Sequence, residues 1–341
     1  MPAVLQTARR TLIVATMLYC AGLLVLALLC KIGMHGFWWL DLANIFALLL
    51  FAPLLLLIPA ALLWHSRGPQ IAVLVACAAF VGLFGQQLLP RAEQSGSGPR
   101  LRVATFNLHS GLAEPQVAEI VAAIRERPAD VYLFQELSEP AAIAIKQHLA
   151  QEYPHQTLVP SAEHAGMGMI SRYPLDMPLQ QDEPLQTAQV RVGDRSVTLI
   201  NVSLTSPEIK RRRLPVVGWV QGLGGYRTGK RAREMEQLLR AADNARGPLV
   251  VAGDFNLSDR EPGYGQLAAR LHDAYAETRP GFGFTFPSSL HIGQLAIPAR
   301  LVRIDYVWSA GGVVPTSAEV SCGDASDHCM VIADVRIADG L

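Results

Sequence analysis

The sequence predicts an α/β protein, a layered sandwich of two mixed β-sheets flanked by helices, preceded by an all-α transmembrane segment. Three observations lead to this prediction. Long apolar runs fill the first 90 residues, which contain few charges. After residue 100, short strand-like stretches alternate with stretches of helical periodicity. Toward the C-terminus the strand-like stretches dominate, which favours mixed sheets over a purely parallel one.

Composition separates the chain into two parts. It has 341 residues, half of them hydrophobic, and a formal net charge of zero. Residues 1–90 contain four basic residues and one acidic one, which leaves 25 basic and 28 acidic residues for 91–341, a net charge of −3. The second part has an ordinary globular composition and is long enough for one large domain. Its slightly acidic charge disfavours a general nucleic-acid binder.

Three apolar runs predict transmembrane helices at 11–30, 43–64 and 71–90. Each run reaches the roughly 20 apolar residues that a helix needs to cross a bilayer. Pro53 and Pro59 lie inside the second run, and membrane helices tolerate proline. A cleaved signal peptide is the alternative for the first run, but its apolar core is long for one and two more runs follow.

Flanking residues predict the orientation. Aromatic residues at 37–39 and at Trp64 bracket the second run, as an interfacial belt does. Arg9 and Arg10, just before the first run, place the N-terminus in the cytoplasm by the positive-inside bias. Three spans then predict a protein of the cell inner membrane whose large domain lies outside the cytoplasm. If the third run only lies on the membrane, the domain faces the cytoplasm.

Residues 91–100 have the polar, small-residue composition of a flexible linker, so the large domain is predicted to span 101–341. Within it, Cys322 and Cys329 flank a short polar loop. They would form a disulfide in an oxidising compartment and stay thiols in the cytosol. The sequence does not decide between the two, and two unpaired cysteines are the preferred expectation.

The strands of the domain are predicted from apolar, β-branched stretches, and its helices from apolar residues at helical spacing. The predicted strands are 101–108, 130–134, 166–171, 197–204, 249–254, 303–308 and 329–335. The predicted helices are 116–127, 140–150 and 228–242.

Small polar side chains stand where these strands end, namely Asn107, Glu136, Asp254, Asn256, Asp305, Asp327 and His328. The central example is 249–256, a buried strand that ends in a turn with a carboxylate at Asp254 and a carboxamide at Asn256. That pair suits orienting a water molecule and gripping a phosphate oxygen. Each residue alone also fits a helix cap or an Asx turn, but seven at strand ends are poorly explained by separate structural roles.

The chemistry of these residue types indicates phosphoester hydrolysis. Hard oxygen ligands such as Glu136 and Asp327 suit Mg²⁺ or Mn²⁺ rather than zinc. A histidine beside acids, as at His328, suits a general base that activates water. A metal, a base and amide donors in one cleft are the equipment for hydrolysing a phosphoester.

The order of these motifs resembles the endonuclease/exonuclease/phosphatase superfamily, with its deoxyribonuclease I-like sandwich. The matching stretches are 105–108, 135–136, 168–174, 253–256, 304–307 and 326–328. The resemblance covers about residues 100–337 and leaves the apolar segment outside. The chain therefore resembles a membrane-anchored, bacterial-type member.

The resemblance implies a metal site and catalytic groups. Glu136 would be the principal metal ligand for Mg²⁺ or Mn²⁺, helped by Asn107, and Asp327 would complete the metal side.

It also implies roles for the catalytic residues. Asp254 would orient the attacking water, and Asn256 would hold the scissile phosphate. His328 would be the base or a phosphate contact, oriented by Asp305.

One position departs from the family's Asn-x-His-Leu pattern, because Ser203 stands where histidine is usual. Serine cannot protonate a leaving group as an imidazolium can, and such help is worth about 10²–10⁴ in rate. A metal-bound water, His109 or His164 substitutes for it, or the leaving group needs little help, or the activity is low. We expect Ser203, His109 and Arg172 to contact the substrate.

A basic segment from Lys210 to Arg233 bears on the kind of substrate, since it has eight basic residues and no acidic one. It is a solvated loop, or it meets anionic lipid headgroups or a nucleic-acid backbone. We predict a membrane-anchored, divalent-metal-dependent phosphodiesterase or phosphatase that acts on a lipid-linked or small-molecule phosphoester. The alternatives are a membrane-anchored endo/exonuclease and a catalytically weak binding or sensor module. The sequence carries no sign of the oligomeric state.

Overall fold

The computed structural model describes residues 3–64, 66–92, 98–110, 114–176, 181–182, 184–213, 221–292, 295–297 and 299–338. Of the predicted linker, residues 93–97 lie outside this range. The chain forms two units, one of Met1–Leu89 with Glu208–Arg227 and the other of Pro90–Pro207 with Thr228–Leu341. A segment of the first unit is thus inserted in the sequence of the second.

The helices are α1 (Ala3–Lys31), α2 (Trp38–Ile45), α3 (Ala47–Phe51), α4 (Leu54–Leu63), α5 (Arg67–Leu88), α6 (Glu114–Glu126), α7 (Glu139–Leu149), α8 (Gly229–Asn244), α9 (Pro262–Ala268) and α10 (Ala274–Thr278). The strands are β1 (Arg100–Asn107), β2 (Val131–Gln135), β3 (His155–Val159), β4 (Met167–Ser171), β5 (Leu175–Asp176), β6 (Gln181–Asp182), β7 (Leu185–Val192), β8 (Arg195–Ser203), β9 (Glu208–Arg213), β10 (Gln221–Arg227), β11 (Leu249–Asp254), β12 (His272–Asp273), β13 (Leu290–Ile292), β14 (Leu295–Ile297), β15 (Asp305–Ala310), β16 (Val313–Ser321) and β17 (Met330–Ile337).

The helical unit contains two segments long and apolar enough to cross a membrane, Gln6–Lys31 in α1 and Arg67–Leu88 in α5. The predicted second span is broken instead, because Trp38–Ile45 and Ala47–Leu63 meet at a bend of 72°. The break falls at Phe46, whose backbone leaves the helical region. Pro53, which has no N–H to donate, separates α3 from α4. If the bent pair counts as one span, three segments are long and apolar enough to cross a membrane; if it is a re-entrant loop, two are.

The second unit is a sandwich of two mixed sheets, as the sequence predicts. One sheet has the order β16-β17-β1-β2-β4-β3, and the other has the order β12-β15-β11-β8-β7-β5 with β6 paired to β7. β1 and β2 are parallel, as are β8 and β11, and their other neighbours in these sheets are antiparallel.

Three apolar layers hold this sandwich together. Between the sheets lie buried aliphatic side chains such as Val103, Leu133, Leu199 and Val250. Helices α6 and α7 cover the outer face of the first sheet, and α8 and α9 cover the outer face of the second around Trp308. The strands at the centre of both sheets are therefore buried on both faces, which explains their continuous apolar sequences.

The parallel pairs determine where a site forms. In one sheet the C-terminal ends of β1 and β2 lie side by side, with Asn107 beside Gln135. In the other sheet the ends of β8 and β11 do the same, with Ser203 beside Asp254. Polar residues at these four ends therefore face one another across the top of the sandwich.

Candidate active site

The turn after β11 holds Asp254 and Asn256 in a fixed relation. The backbone amide of Asn256 donates to one oxygen of Asp254 at 2.8 Å, and its side-chain amide donates to the other at 2.9 Å. Gly253 is required before this turn, because a Cβ there would lie 2.0 Å from the carbonyl oxygen of Val202. The two side chains therefore form the Asx turn that the sequence left as the structural alternative.

Asn107 links this turn to the first sheet. Its buried side-chain amide donates to Asp254 at 2.9 Å and to Glu136 at 3.3 Å. Its oxygen accepts from the backbone of His109 at 2.9 Å. The predicted metal ligands Asn107 and Glu136 are thus adjacent, and both lie beside the predicted catalytic Asp254.

Glu136 is held as a carboxylate. His164 lies 2.6 Å from one of its oxygens, and the backbone amide of Ser110 donates to the same oxygen at 3.2 Å. Burial raises the pKa of Glu136, but the hydrogen bonds from His164, Ser110 and Asn107 outweigh it, so the pKa lies below its ordinary value. A carboxylate that stays ionised is ready to hold a cation.

Asp305 and His328 form a buried pair. Nδ1 of His328 lies 3.0 and 3.1 Å from the two oxygens of Asp305. Burial lowers the pKa of His328, but the nearby charges of Asp305 and Asp254 raise it more, to about 10. The ring packs on Phe286 at 4.7 Å between centroids. His328 is therefore an imidazolium at neutral pH, with Nδ1 bound to Asp305.

Asp254 shares this acidic environment. Its burial and the neighbouring charge of Asp305 raise the pKa of Asp254 to about 7. Among the described residues, Asp254, Asp305 and His328 form a group whose donor atoms all lie within 4.8 Å of one another. An acid with a pKa near neutrality in such a cluster is suited to exchange protons with substrate or water.

Backbone strain is concentrated at this site. Among the described residues, the non-glycine residues with positive φ are His109 (55°), Glu136 (50°) and Asn256 (48°). Left-handed backbone at side chains other than glycine is costly and persists where the surroundings impose it. All three residues had been predicted from the sequence as site residues.

Asp327 lies on the loop between β16 and β17. Nδ1 of His109 lies 3.2 Å from its carboxylate, and the hydroxyl of Ser326 donates to the carbonyl of Asn107 at 2.7 Å. The loop that carries Asp327 and His328 is thereby fastened to the end of β1. Cys322 and Cys329 close the same loop with a disulfide, so the preferred expectation of two unpaired cysteines was wrong.

A cleft of about 700 Å³ opens beside these groups. Its lining includes Glu136, His164, Ser203, Ser206, Lys230 and Asn256. Ser203, predicted to contact substrate, therefore reaches the cleft, and His164 is an imidazole on the same cleft.

Arg172, the remaining predicted substrate contact, lies elsewhere. β4 runs antiparallel to β2, so that Ser171 pairs with Val131 rather than with Gln135 at the active-site end. The Arg172 guanidinium instead lies 5.3 Å above the ring of Tyr153. The sheet geometry does not bring Arg172 to the site. β4 begins at the active-site edge of the sheet, so Arg172, which follows its last residue, lies at the opposite edge.

Sequence reasoning assigned no role to two sets of residues that support the site. A buried network of Thr105, Gln135 and Asn201 joins the two sheets, with Gln135 donating to Asn201 at 2.6 Å. Arg231 donates to the carbonyl of Asn256 and pairs with Glu261. The sequence signal for the first set was polar residues inside strands; Arg231 had been counted with the exposed basic segment.

The donor chemistry fits a hard divalent cation on the Glu136 side. Glu136, Asn107 and Asp327 offer the oxygen atoms that Mg²⁺ prefers. His328 is unsuited to be a ligand there, because it is protonated and bound to Asp305. The site thus has oxygen ligands on one side, around Glu136, and a protonated histidine on the other, at His328.

Solved structures with a similar fold are distant in sequence. D. rerio TDP2 complexed with single strand DNA product is 16% identical, covers 69% of this chain and 98% of its own, and has a TM-score of 0.51. An endonuclease/exonuclease/phosphatase from Bacteroides vulgatus is 18% identical, with 70% and 99% covered and a TM-score of 0.52. These likenesses show the fold alone.

Sequence comparisons are more decisive. No curated protein matches the chain. The model of the Endonuclease/Exonuclease/phosphatase family matches residues 104–328, a stretch that contains most of the chain and every predicted site residue. The chain therefore belongs to the endonuclease/exonuclease/phosphatase family.

Proposed function

We propose that the domain hydrolyses a phosphoester with Mg²⁺ or Mn²⁺, and that the chain is anchored in a membrane. The observation that carries this proposal is Asp254, a buried acid with a pKa of about 7, fixed between Asn107, Asn256 and the Asp305–His328 pair. Such a group is partly ionised at neutral pH and is therefore suited to act as a general base.

In the proposed reaction a water oxygen attacks phosphorus and the ester P–O bond breaks. Asp254 orients the water and takes its proton. The imidazolium of His328 donates a hydrogen bond to a phosphoryl oxygen, where negative charge accumulates. The side-chain amide of Asn256 donates to Asp254 and to the carbonyl of Leu204, so we assign Asn256 the role of holding Asp254 in place. Because the pKa of His328 is about 10, we assign it the phosphate contact rather than the role of base.

Glu136, Asn107 and Asp327 would hold the metal ion, which supplies positive charge against the phosphate when bound. Glu136 supports this assignment because its lowered pKa keeps it ionised.

The leaving oxygen needs a proton, and Ser203 cannot supply one at neutral pH. We assign this part to His164, which lies on the same cleft and whose pKa is raised by its hydrogen bond to Glu136. Esters whose leaving group is already a weak base would need no such help.

We propose that the domain faces an oxidising compartment outside the cytoplasm, with helices in the cell inner membrane. The Cys322–Cys329 disulfide supports this orientation, because structural disulfides persist in oxidising compartments and are rare in the cytosol. It favours the three-span alternative, in which the bent pair crosses the membrane. A lipid-linked or small-molecule phosphoester is the favoured substrate.

A nuclease is the second candidate. It is favoured by the likeness in fold to D. rerio TDP2, whose structure contains a single strand DNA product. It would use the same groups on a nucleic-acid phosphodiester. A binding module without turnover is the outcome left if neither activity is found.

The test uses the full-length protein in detergent or nanodiscs. We would measure hydrolysis of bis-(p-nitrophenyl) phosphate and of p-nitrophenyl phosphate with Mg²⁺, Mn²⁺ or EDTA, and nicking of supercoiled plasmid. Turnover that needs metal and is lost in Asp254→Asn but kept in Asp130→Asn supports hydrolysis. The control is apt because Asp130 lies at the opposite end of β2. Plasmid nicking at a comparable rate would favour the nuclease, and no metal-dependent turnover would favour the binding module.

A further inference from the structure

The basic hairpin inserted between β8 and α8 belongs to the helical unit. β9 and β10 pair antiparallel, and both group with the N-terminal helices rather than with the sandwich that precedes and follows them in sequence. β10 packs against α2. Residues 214–220, which join the two strands, lie outside the described range.

The register of the hairpin gives it two different faces. Arg211 pairs with Leu223 and Ile209 pairs with Tyr226, whereas Lys210 pairs with Gly225. Because side chains alternate along a strand, Ile209, Arg211 and Leu223 share one face. That face is turned to solvent: Ile209 is 50% exposed and Leu223 is 56% exposed, while Gly225 on the other face is buried.

Charge and aromatic residues add two further observations. Between residues 208 and 227 the sequence contains Lys210, Arg211, Arg212, Arg213 and Arg227 against one acid, Glu208. At the start of α2, on which β10 packs, Phe37 and Trp39 are 53% and 51% exposed, with ring centroids 6.2 Å apart. Exposed aromatic residues of this kind mark the level of a membrane interface.

We propose that the hairpin face of Ile209, Arg211 and Leu223, hereafter the hairpin face, binds the anionic surface of the bilayer in which α1 and α5 are embedded. Arginine meets lipid phosphates while the two aliphatic side chains enter the boundary of the acyl chains, as in other interfacial amphipathic segments. A nucleic-acid backbone would match the arginine but would leave Ile209 and Leu223 in water.

The hairpin face also bears on the substrate, and this part rests on the proposed function. Ser206 precedes β9 by two residues and Lys230 follows β10 by three, and both line the active-site cleft. Only two and three residues thus separate Ser206 and Lys230 from a hairpin that we place on lipid headgroups, so the chain itself keeps these two residues near those headgroups. The substrate is then a phosphoester carried in the bilayer surface.

A spin label at position 223 tests the proposal. The full chain carries Leu223→Cys in a background where Cys20, Cys30 and Cys77 are replaced by alanine and the disulfide is kept. In nanodiscs with phosphatidylglycerol, we expect the label to be more accessible to oxygen than to a polar nickel chelate. Leu74→Cys on α5 gives the lipid reference, and Asp194→Cys, at a side chain 90% exposed, gives the aqueous one.

Arg211→Glu is the matched variant. We expect it to move the label at 223 toward the aqueous reference, as should nanodiscs of phosphatidylcholine alone. A label at 223 that matches the aqueous reference in anionic nanodiscs overturns the proposal. The proposal is also overturned if a single-stranded oligonucleotide immobilises the label while anionic lipid leaves its accessibility unchanged. That result would make the hairpin a nucleic-acid contact.

The accessibility readout needs no turnover, so a failure of the proposed function is distinguishable from a failure of this proposal. Asp254→Asn should leave the label unchanged. For the substrate, Arg211→Glu should lower hydrolysis of a lipid phosphoester in anionic vesicles by at least about fivefold, the effect of losing one basic residue at such a surface, to which the new carboxylate adds repulsion. It should leave a soluble ester unaffected. If Arg211→Glu hydrolyses the lipid phosphoester as fast as the wild type does, the inference about the substrate is overturned, while the inference about membrane binding stands.

Discussion

Replacing Asp305 with asparagine tests how the active site holds its proton. Asp305 lies 3.0–3.1 Å from Nδ1 of His328 and is the largest influence that raises the pKa of His328 to about 10. Without that charge, burial opposes the remaining effect of Asp254, and we expect the pKa of His328 to return to about its ordinary 6.5 or lower. The imidazolium is then lost as the pH rises through that value.

The size of the effect follows from the two pKa values. At pH 8.5 a group with a pKa of about 10 is almost fully protonated, whereas one with a pKa of about 6.5 is about 1% protonated. If the imidazolium contacts the phosphate, Asp305→Asn lowers kcat/KM about 100-fold at pH 8.5 and far less at pH 6. Burial and the neighbouring charge of Asp305 raise the pKa of Asp254 to about 7, and the charge of His328 lowers it. Because the variant loses the charge of Asp305 and, at high pH, that of His328 as well, the diagnostic change is the one in the basic limb of the profile.

The assay is kcat/KM for bis-(p-nitrophenyl) phosphate from pH 5 to 9.5 at saturating metal, with the full-length protein in detergent. Titration of the His328 ring by NMR measures the pKa change directly. Asp334→Asn is the matched control, because Asp334 is another buried carboxylate with arginine partners, Arg100 and Arg102, outside the site. A variant profile that keeps the wild-type basic limb would refute the reasoning, and so would a control that moves equally.

Three further predictions concern the leaving group, the loop and the metal. Ser203→His should raise hydrolysis of an alkyl phosphoester by up to about 10²-fold and barely change the p-nitrophenyl ester; a uniform change for both esters would argue against a proton-donor role. Reducing the Cys322–Cys329 disulfide should lower the free energy of unfolding by about 2.5 kcal/mol for so short a loop. The thermal midpoint should fall, and Cys322→Ser should lower it equally; an unchanged midpoint contradicts this prediction. Glu136→Gln should weaken Mg²⁺ binding in calorimetry by tenfold or more while Asp130→Asn does not, and equal affinities would remove Glu136 from the metal site.

The fold could be predicted wherever a strand is buried on both faces. β1, β2, β8 and β11 read as continuous apolar stretches, because the sandwich covers both of their sides. β16 was missed for a physical reason. It contains Pro315, which argues against a strand, and the structure accommodates it with a shift of register between Pro315 and Ser317.

The site could be predicted because of the parallel pairs. Residues that follow parallel neighbours meet at one edge, so Asn107, Glu136 and Asp254 converge without any knowledge of the loops. The same rule explains the failure at Arg172, since β4 is antiparallel to β2 and ends at the other edge. His164 comes from the loop between β3 and β4, where no periodic pattern constrains its position.

Arg231 marks the limit of reading charge from sequence. It lies within the run of eight basic residues, yet it is only 5% exposed and its guanidinium binds the Asn256 carbonyl and Glu261. Glu261 in turn accepts from the backbone of Ser258 at 2.8 Å, so the pair fixes both sides of the turn after β11. The left-handed backbone of a residue such as Asn256 costs on the order of 1 kcal/mol. The hydrogen bond from Arg231 to the Asn256 carbonyl offsets part of that cost. The basic run therefore includes Arg231, a positioning group inside the second unit, beside the charges of residues 208–227 that the membrane proposal uses.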